Sequence, residues 1–147
     1  MEATRRTFLQ AGAALASAGF SRSPTIAAEK NFQWQNGQSP WPMCLDTATL
    51  SKDVPLEKKV DVVAHSEFDA IEPWDRELAA YEETGQSLKE LGASIREKGL
   101  FVPSVIGLWG SLGNTKEDFE SRLEEYHTTL RMIRDIGAEH VQIIPDL

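Results

Sequence analysis

The stretch Phe68-Asp69-Ala70-Ile71-Glu72-Pro73-Trp74 decides the fold class. Asp69 to Trp74 is an apolar run of strand length, ended by its proline beside an acid and an indole. On its N-terminal side lies a second such run, Met43-Cys44-Leu45-Asp46-Thr47. Between the two, Leu56, Val60, Val63 and Ala64 recur at helical spacing, with Asp53 as the expected cap and Pro55 near the first turn. On the C-terminal side, the spacing of Leu88, Leu91 and Ile95 predicts a helix from Gln86 to Lys98, with Gly99 in the C-cap position. Leu100 to Leu108 reads as a third strand, delayed or distorted at Pro103. Asn114 or Thr115 caps the longest helix, and Glu117 and Asp118 favour the positive end of its dipole. Its expected buried stripe is Phe119, Leu123, Tyr126, Leu130 and Ile133, closed by Gly137, before a fourth strand from His140 to Ile144. The order is βαβαβαβ, which predicts parallel strands under right-handed crossover helices. Two folds fit it: an open doubly wound sheet and a (β/α) barrel. A nucleotide-binding sheet is disfavoured, because neither G-x-G-x-x-G nor G-x-x-x-x-G-K-[ST] occurs.

Composition narrows the function classes. Acids outnumber bases 23 to 15, a net charge of -8, and removing residues 1–28 takes away three arginines and one glutamate, leaving -10. Such a chain repels nucleic acid and anionic membrane surfaces, so no nucleic-acid partner is expected. A single cysteine, Cys44, excludes an internal disulfide and a cysteine-based zinc cluster. Cys44 reads as a small buried residue of the first strand.

Three phrases occur in order at βα-unit spacing: Phe68 to Trp74, Val102-Pro103-Ser104-Val105-Ile106-Gly107-Leu108-Trp109, and Ile136-Gly137-Ala138-Glu139-His140-Val141-Gln142-Ile143-Ile144-Pro145. Together they resemble the xylose isomerase-like TIM-barrel superfamily, the sugar phosphate isomerases and epimerases. The resemblance covers residues 43–147 and implies an α/β fold holding only the first four or so strands of a (β/α)8 barrel. A complete barrel takes about 250 residues. It also implies a divalent metal (manganese, magnesium, cobalt or zinc) in a full-length member, bound with the acid/base glutamates on later strands. No cofactor and no catalytic or metal-binding residue is therefore expected within this chain. The implied function is the N-terminal half of an exported, metal-dependent sugar (phosphate) isomerase or epimerase. The alternatives are a non-catalytic exported carbohydrate-binding domain and a non-functional truncated product. Self-association through exposed half-barrel edges follows, with Ile71, Val105 and Ile143 or Ile144 expected on an apolar inward face.

In a barrel the functional face is the C-terminal end of the strands. The candidates there for lining a small-molecule sugar are Glu72, Trp74, Trp109, Asn114 and Asp146, with carboxylates for hydroxyls and indoles for a ring face. Glu72 is equally read as a buried acid satisfied by backbone or Arg76, and the two indoles as packing. His65, His127 and His140 fall outside that face and read as structural. The acidic residues of the long helix read as a solvated face.

The N-terminus is of another kind. Arg5-Arg6 precede Phe8-Leu9 and an uncharged, Ala- and Gly-rich run to Phe20, with Ala16-Ser17-Ala18 and Ile26-Ala27-Ala28 as cleavage candidates. Residues 1–28 resemble a twin-arginine signal peptide, and 29–42 read as an irregular lead-in. The apolar run is far short of the roughly 20 residues that span a bilayer, so no stable membrane anchor is expected. The expected destination is periplasmic or extracellular. Replacing Arg5 and Arg6 by Lys should abolish export of a reporter fused after Ala28. Undiminished export of the double variant would remove this reading.

Overall fold

Strand order separates the two candidate architectures. The computed structural model describes residues 33–35, 37–111 and 115–145. In it β1 (Cys44–Asp46) pairs in parallel with β2 (Ala70–Glu72), and β3 (Ser104–Gly107) pairs in parallel with β4 (His140–Ile143). The two pairs join through Ile71 N donating to Phe101 O and Ile106 N to Pro73 O, each at 3.0 Å. The strands thus lie side by side in chain order, the order of a barrel wall, whereas a doubly wound sheet reverses direction partway. Between the parallel bridges Ala70–Phe101 and Trp74–Ile106, the β3 side carries one residue more than the β2 side. That stretch contains Pro103, which has no N–H to give, and β3 starts directly after it.

Five helices cover the outer side: α1 (Leu56–Ala64), α2 (Asp75–Glu83), α3 (Leu88–Glu97), α4 (Lys116–Ser121) and α5 (Leu123–Ile136). Leu56, Val60 and Val63 of α1 are buried as expected, as are Leu88, Leu91 and Ile95 of α3. They pack in one cluster with Ile71, Val105, Met132, Ile133 and Ile136. Gly99 and Gly137 follow α3 and α5 at φ +79° and +88°, the left-handed conformation that ends a helix and suits glycine. Thr115 caps α4 through Asp118 N at 3.1 Å. Arg131 of α5 clamps Glu82 of α2 with two hydrogen bonds of 2.8 and 2.6 Å, and holds its carboxyl below the usual carboxylate range.

Several expectations are corrected. The long helix breaks at Arg122 (φ -104°, ψ 2°), which ends α4 and restarts the chain as α5. Of the expected stripe, Tyr126 and Ile133 are buried and Leu123 is half-buried, whereas Phe119 and Leu130 are exposed, and Thr129, Met132 and Ile136 complete the inward face instead. Pro55, not Asp53, occupies the cap position of α1, without a side-chain bond. Helix α2 was not anticipated, since Leu78 is its one buried residue and a single apolar position makes no periodic pattern. The inward face is not apolar. Ile71 and Val105 are fully buried on the helix side, with Leu45 and Val141 beside them in register. The residues between them therefore face the barrel interior: Cys44, Asp46, Glu72, Ser104, Ile106 and Gln142. Cys44 is correspondingly exposed rather than buried.

Residues 33–35 and 37–42 form a turn that closes the N-terminal end of the strands. Trp34 bridges Ser39 and packs its ring against Phe101 at 5.5 Å. The Asp69 carboxylate ties this turn to the sheet, accepting from Met43 N at 2.8 Å and Gln35 N at 3.4 Å. The residues 1–28 assigned to a signal peptide, with Arg5 and Arg6, lie outside the described residues. No described helix is long and apolar enough to cross a membrane.

Helices α3 and α5 approach closely at Gly92. A Cβ there would stand 2.3 Å from Ile136 O, a backbone atom at the end of α5. Gly92→Ala should therefore lower unfolding free energy by about 2 kcal/mol, overpacking outweighing the helix-propensity gain of about 1 kcal/mol. A urea midpoint equal to or above that of the parent chain would contradict this contact.

Candidate functional site

At the C-terminal end of β2 the chain turns from strand to helix through Glu72, Pro73 and Trp74, and each supports the next. Glu72 points inward, and its Oε1 accepts from Ser104 Oγ of β3 and from Gln142 Nε2 of β4, the latter at 2.5 Å. One carboxylate is thus fixed by hydroxyl and amide donors from the two neighbouring strands. Both bonds fall on Oε1, so Oε2 has no hydrogen-bond partner among the described residues.

Trp74 sits beside it, held at both ends. Its backbone N donates to Glu77 Oε2 at 3.0 Å, and its indole Nε1 donates to Asp46 Oδ1 at 2.8 Å. Asp46 also caps the short 3-10 turn Thr47–Thr49 through Ala48 N at 2.8 Å. The Trp109 ring stacks on Trp74 at 5.4 Å with 26° between planes, and its Nε1 donates to Asp75 Oδ1 at 3.3 Å. Leu108, directly before Trp109, is left-handed at φ +52°, a strained conformation for leucine that sets the indole's direction. The loop after β3 is pinned by Gly110 N donating to Ile144 O at 2.9 Å and by Tyr126 Oη donating to Gly110 O at 3.1 Å.

Behind these side chains lies a buried ion pair. Lys59 of α1 is 2% exposed, and its Nζ donates to Glu77 Oε1 at 2.7 Å and to Thr47 O at 3.0 Å. Glu77 Oε2 also accepts from Thr47 Oγ1, which is itself fully buried. The pair fastens the β1 turn to the start of α2 and so sets the position of Trp74.

Of the residues expected to line a pocket, Glu72, Trp74 and Trp109 are brought to one end of the sheet. Asn114 and Asp146 lie outside the described residues. Arg76 does not satisfy Glu72: its guanidinium carbon lies 4.1 Å from the Trp74 ring centroid. Sequence reasoning missed Ser104, Gln142 and the Lys59–Glu77 pair. Ser104 and Gln142 had a usable signal, being polar residues set in otherwise apolar strands, with side chains alternating between faces. The three histidines are exposed and away from this face, His65 against Asp61 O and His140 against Pro103 O. Among the described residues no three His, Cys, Asp or Glu side chains converge as a metal site.

A polar, strand-end face on a parallel wall in chain order defines part of an α/β barrel. No protein-family model matches the sequence, and no curated protein matches it. Among solved structures, the fold is similar to a xylose isomerase-like TIM barrel/4-hydroxyphenylpyruvate dioxygenase fusion protein, with TM-score 0.60, 17% identity, and 69% of this chain against 16% of that one. It is similar to the IolI protein solved with a zinc atom, with TM-score 0.63, 14% identity, and 73% of this chain against 38% of that one. It is also similar to a xylose isomerase domain-containing protein from Salmonella typhimurium, with TM-score 0.60, 14% identity, and coverage of 71% and 37%. The chain spans well under half the length of each. The fold is therefore a partial α/β barrel, and these xylose isomerase-like structures are what it is similar to.

The one thiol reports on the interior face. Although Cys44 is exposed, partial burial raises its pKa to about 11, aided by the negative charges of Glu72 and then Asp46. The thiolate is the reactive form, so alkylation of Cys44 should still rise tenfold per pH unit between pH 8 and about 10, where an ordinary thiol of pKa about 8.5 levels off. Glu72→Gln should move the curve to lower pH. A plateau near pH 9 in the parent chain would contradict this environment.

Proposed function

We propose that this chain supplies the first four βα units of an exported sugar-processing barrel, with its strand-end face forming one wall of the sugar pocket. The observation that carries the reading is Glu72, held through Oε1 by Ser104 and Gln142 with Oε2 left open beside the Trp74–Trp109 pair. A carboxylate oxygen accepts from sugar hydroxyls, and indoles offer apolar area to the C–H face of a ring. In this reading Asn114 and Asp146 complete the lining. The neighbours supporting it are xylose isomerase-like proteins and a probable 3-DHS dehydratase from Bacillus anthracis.

The zinc atom in IolI prompts a test of fit. The described residues do not fit a metal, since no three ligating side chains converge. The proposal accordingly assigns the divalent metal and the acid/base groups to residues other than the described ones, and Glu72 binds and orients hydroxyls. The edges of β1 and β4, which no described strand covers, serve in this reading for self-association. Residues 1–28 serve as the twin-arginine leader.

Titrating the chain with neutral aldoses and ketoses, read by tryptophan fluorescence, should give a saturable response. Glu72→Ala should weaken it about tenfold, the worth of hydrogen bonds to a charged group, and Trp109→Ala should remove most of it. With Mn²⁺ or Mg²⁺ present, the same chain should bind without isomerising. Absence of any saturable response would overturn the sugar-pocket reading, and turnover would overturn the placement of the metal chemistry elsewhere.

A further inference from the structure

Glu72 has a second carboxylate beside it at this end of the sheet. Asp46 is its register partner on β1, and both belong to the interior row of the wall. The two are held in the same way. Asp46 Oδ1 accepts from Trp74 Nε1 and from Ala48 N, each at 2.8 Å, and Glu72 Oε1 accepts from Ser104 Oγ and Gln142 Nε2. Every one of these donors is neutral, and in each carboxylate the bonds fall on a single oxygen. Asp46 Oδ2 and Glu72 Oε2 thus have no hydrogen-bond partner among the described residues.

The two charges are oriented without being cancelled. Among the described residues no cation forms an ion pair with either carboxylate. Of the cations on adjoining elements, Lys59 is committed to Glu77 and Thr47 O, and the Arg76 guanidinium lies on the Trp74 ring; Lys52, in the turn after β1, pairs with neither acid. The other side chains of the interior row, Cys44, Ser104, Ile106 and Gln142, bring no positive charge. Neighbouring strands lie about 4.8 Å apart, so two like charges stand side by side, an arrangement that costs stability until a cation joins it. The Cys44 thiol on the same face registers their field: after burial, Glu72 and then Asp46 hold its proton on.

We propose that the strand-end face selects a sugar bearing a cationic amino group, with the ammonium seated between Asp46 and Glu72. An ammonium has three N–H donors and no acceptor, which suits two open carboxylate oxygens, whereas a hydroxyl has one O–H to give. Its bonds to carboxylates are charge-assisted and about twice as strong as neutral ones. A sugar acid or any other anionic ligand meets like charge at this position and is disfavoured there. The amide and hydroxyl of Gln142 and Ser104 are already spent on Glu72, so they fix the acid rather than dilute its charge. The inference rests on the sugar-pocket reading, narrows its ligand class and adds Asp46 to the site.

Calorimetric titration of the 147-residue chain tests this with glucose, glucosamine, N-acetylglucosamine and glucuronate as probes. Ionic strength is kept low, EDTA excludes a bridging metal, and the pH is set below neutral so that the amine is protonated. Glucosamine should bind about tenfold more tightly than glucose, and glucuronate more weakly than glucose. N-acetylglucosamine keeps the ring but not the charge, so it should lose the advantage of glucosamine. Asp46→Asn and Glu72→Gln retain an acceptor oxygen for the same neutral donors and remove only the charge, and each should abolish most of the preference. Equal affinity for glucosamine and glucose, or a preference unchanged in both amide variants with circular dichroism intact, overturns the inference and leaves the sugar pocket standing. Absence of saturable binding for every probe overturns both.

Discussion

The buried pair of Lys59 and Glu77 is the constraint on which the strand-end face depends. Three separate segments meet there: helix α1 through Lys59, the β1 turn through Thr47, and the start of α2 through Glu77 and Trp74 N. Burying two charges costs several kcal/mol each, and their attraction offsets that cost only when the remaining donors and acceptors are met. Here Glu77 uses both oxygens and Lys59 has two acceptors, so the condition is largely satisfied. Removing one partner would strand the other, a loss of about 3–5 kcal/mol. An apolar substitute would hold the helices together equally well. It would not set the direction of Trp74, because an apolar side chain accepts from neither the Trp74 backbone N nor the Thr47 hydroxyl, both of which donate to Glu77 Oε2.

The sheet divides its two faces by chemistry. Leu45, Ile71, Val105 and Val141 form one row against the helices, and Asp46, Glu72, Ser104 and Gln142 occupy the opposite one. Across three strands, the Ser104 hydroxyl and the Gln142 amide on the interior side both donate to Glu72 Oε1. They need no opposing apolar layer, so the wall offers ligand-binding atoms where an apolar row was expected. The row is also ordered by polarity from base to mouth. Trp34, Phe101 and the Asp69 cap close the N-terminal end, while the acid and indoles gather at the C-terminal end.

Much of this fold was legible because strands and helices were marked by punctuation as well as by period. Pro73, Gly99, Pro103, Thr115 and Gly137 each act where local chemistry places them, and three strands follow within a residue or two, while β3 starts at Ser104, four residues after Leu100 and directly behind Pro103. Helix α2 escaped notice because capping and a buried ion pair hold it, and neither leaves an apolar repeat. The face of α5 was read only in part, since Tyr126 and Ile133 turn inward but the buried row also runs through Thr129, a polar residue that an apolar pattern passes over, and leaves Leu130 exposed. At the candidate site, the position of Glu72, Trp74 and Trp109 at one end of the sheet was legible because each follows directly on an apolar strand run. Ser104, Gln142 and Lys59 were not, since their significance comes from partners 32, 70 and 18 residues away in sequence.

Trp74 gathers contacts from several segments at the strand-end face. Its indole nitrogen is committed to Asp46 and its ring carries both Trp109 and the Arg76 guanidinium. An exposed cation resting on an indole gains only about 0.5–1 kcal/mol, whereas hydrogen bonds to a charged group are worth about 1.5–3 kcal/mol. The indole pair is thus fixed at both rings, Trp74 through Asp46 and Trp109 through Asp75, with the Arg76 guanidinium resting on the Trp74 ring.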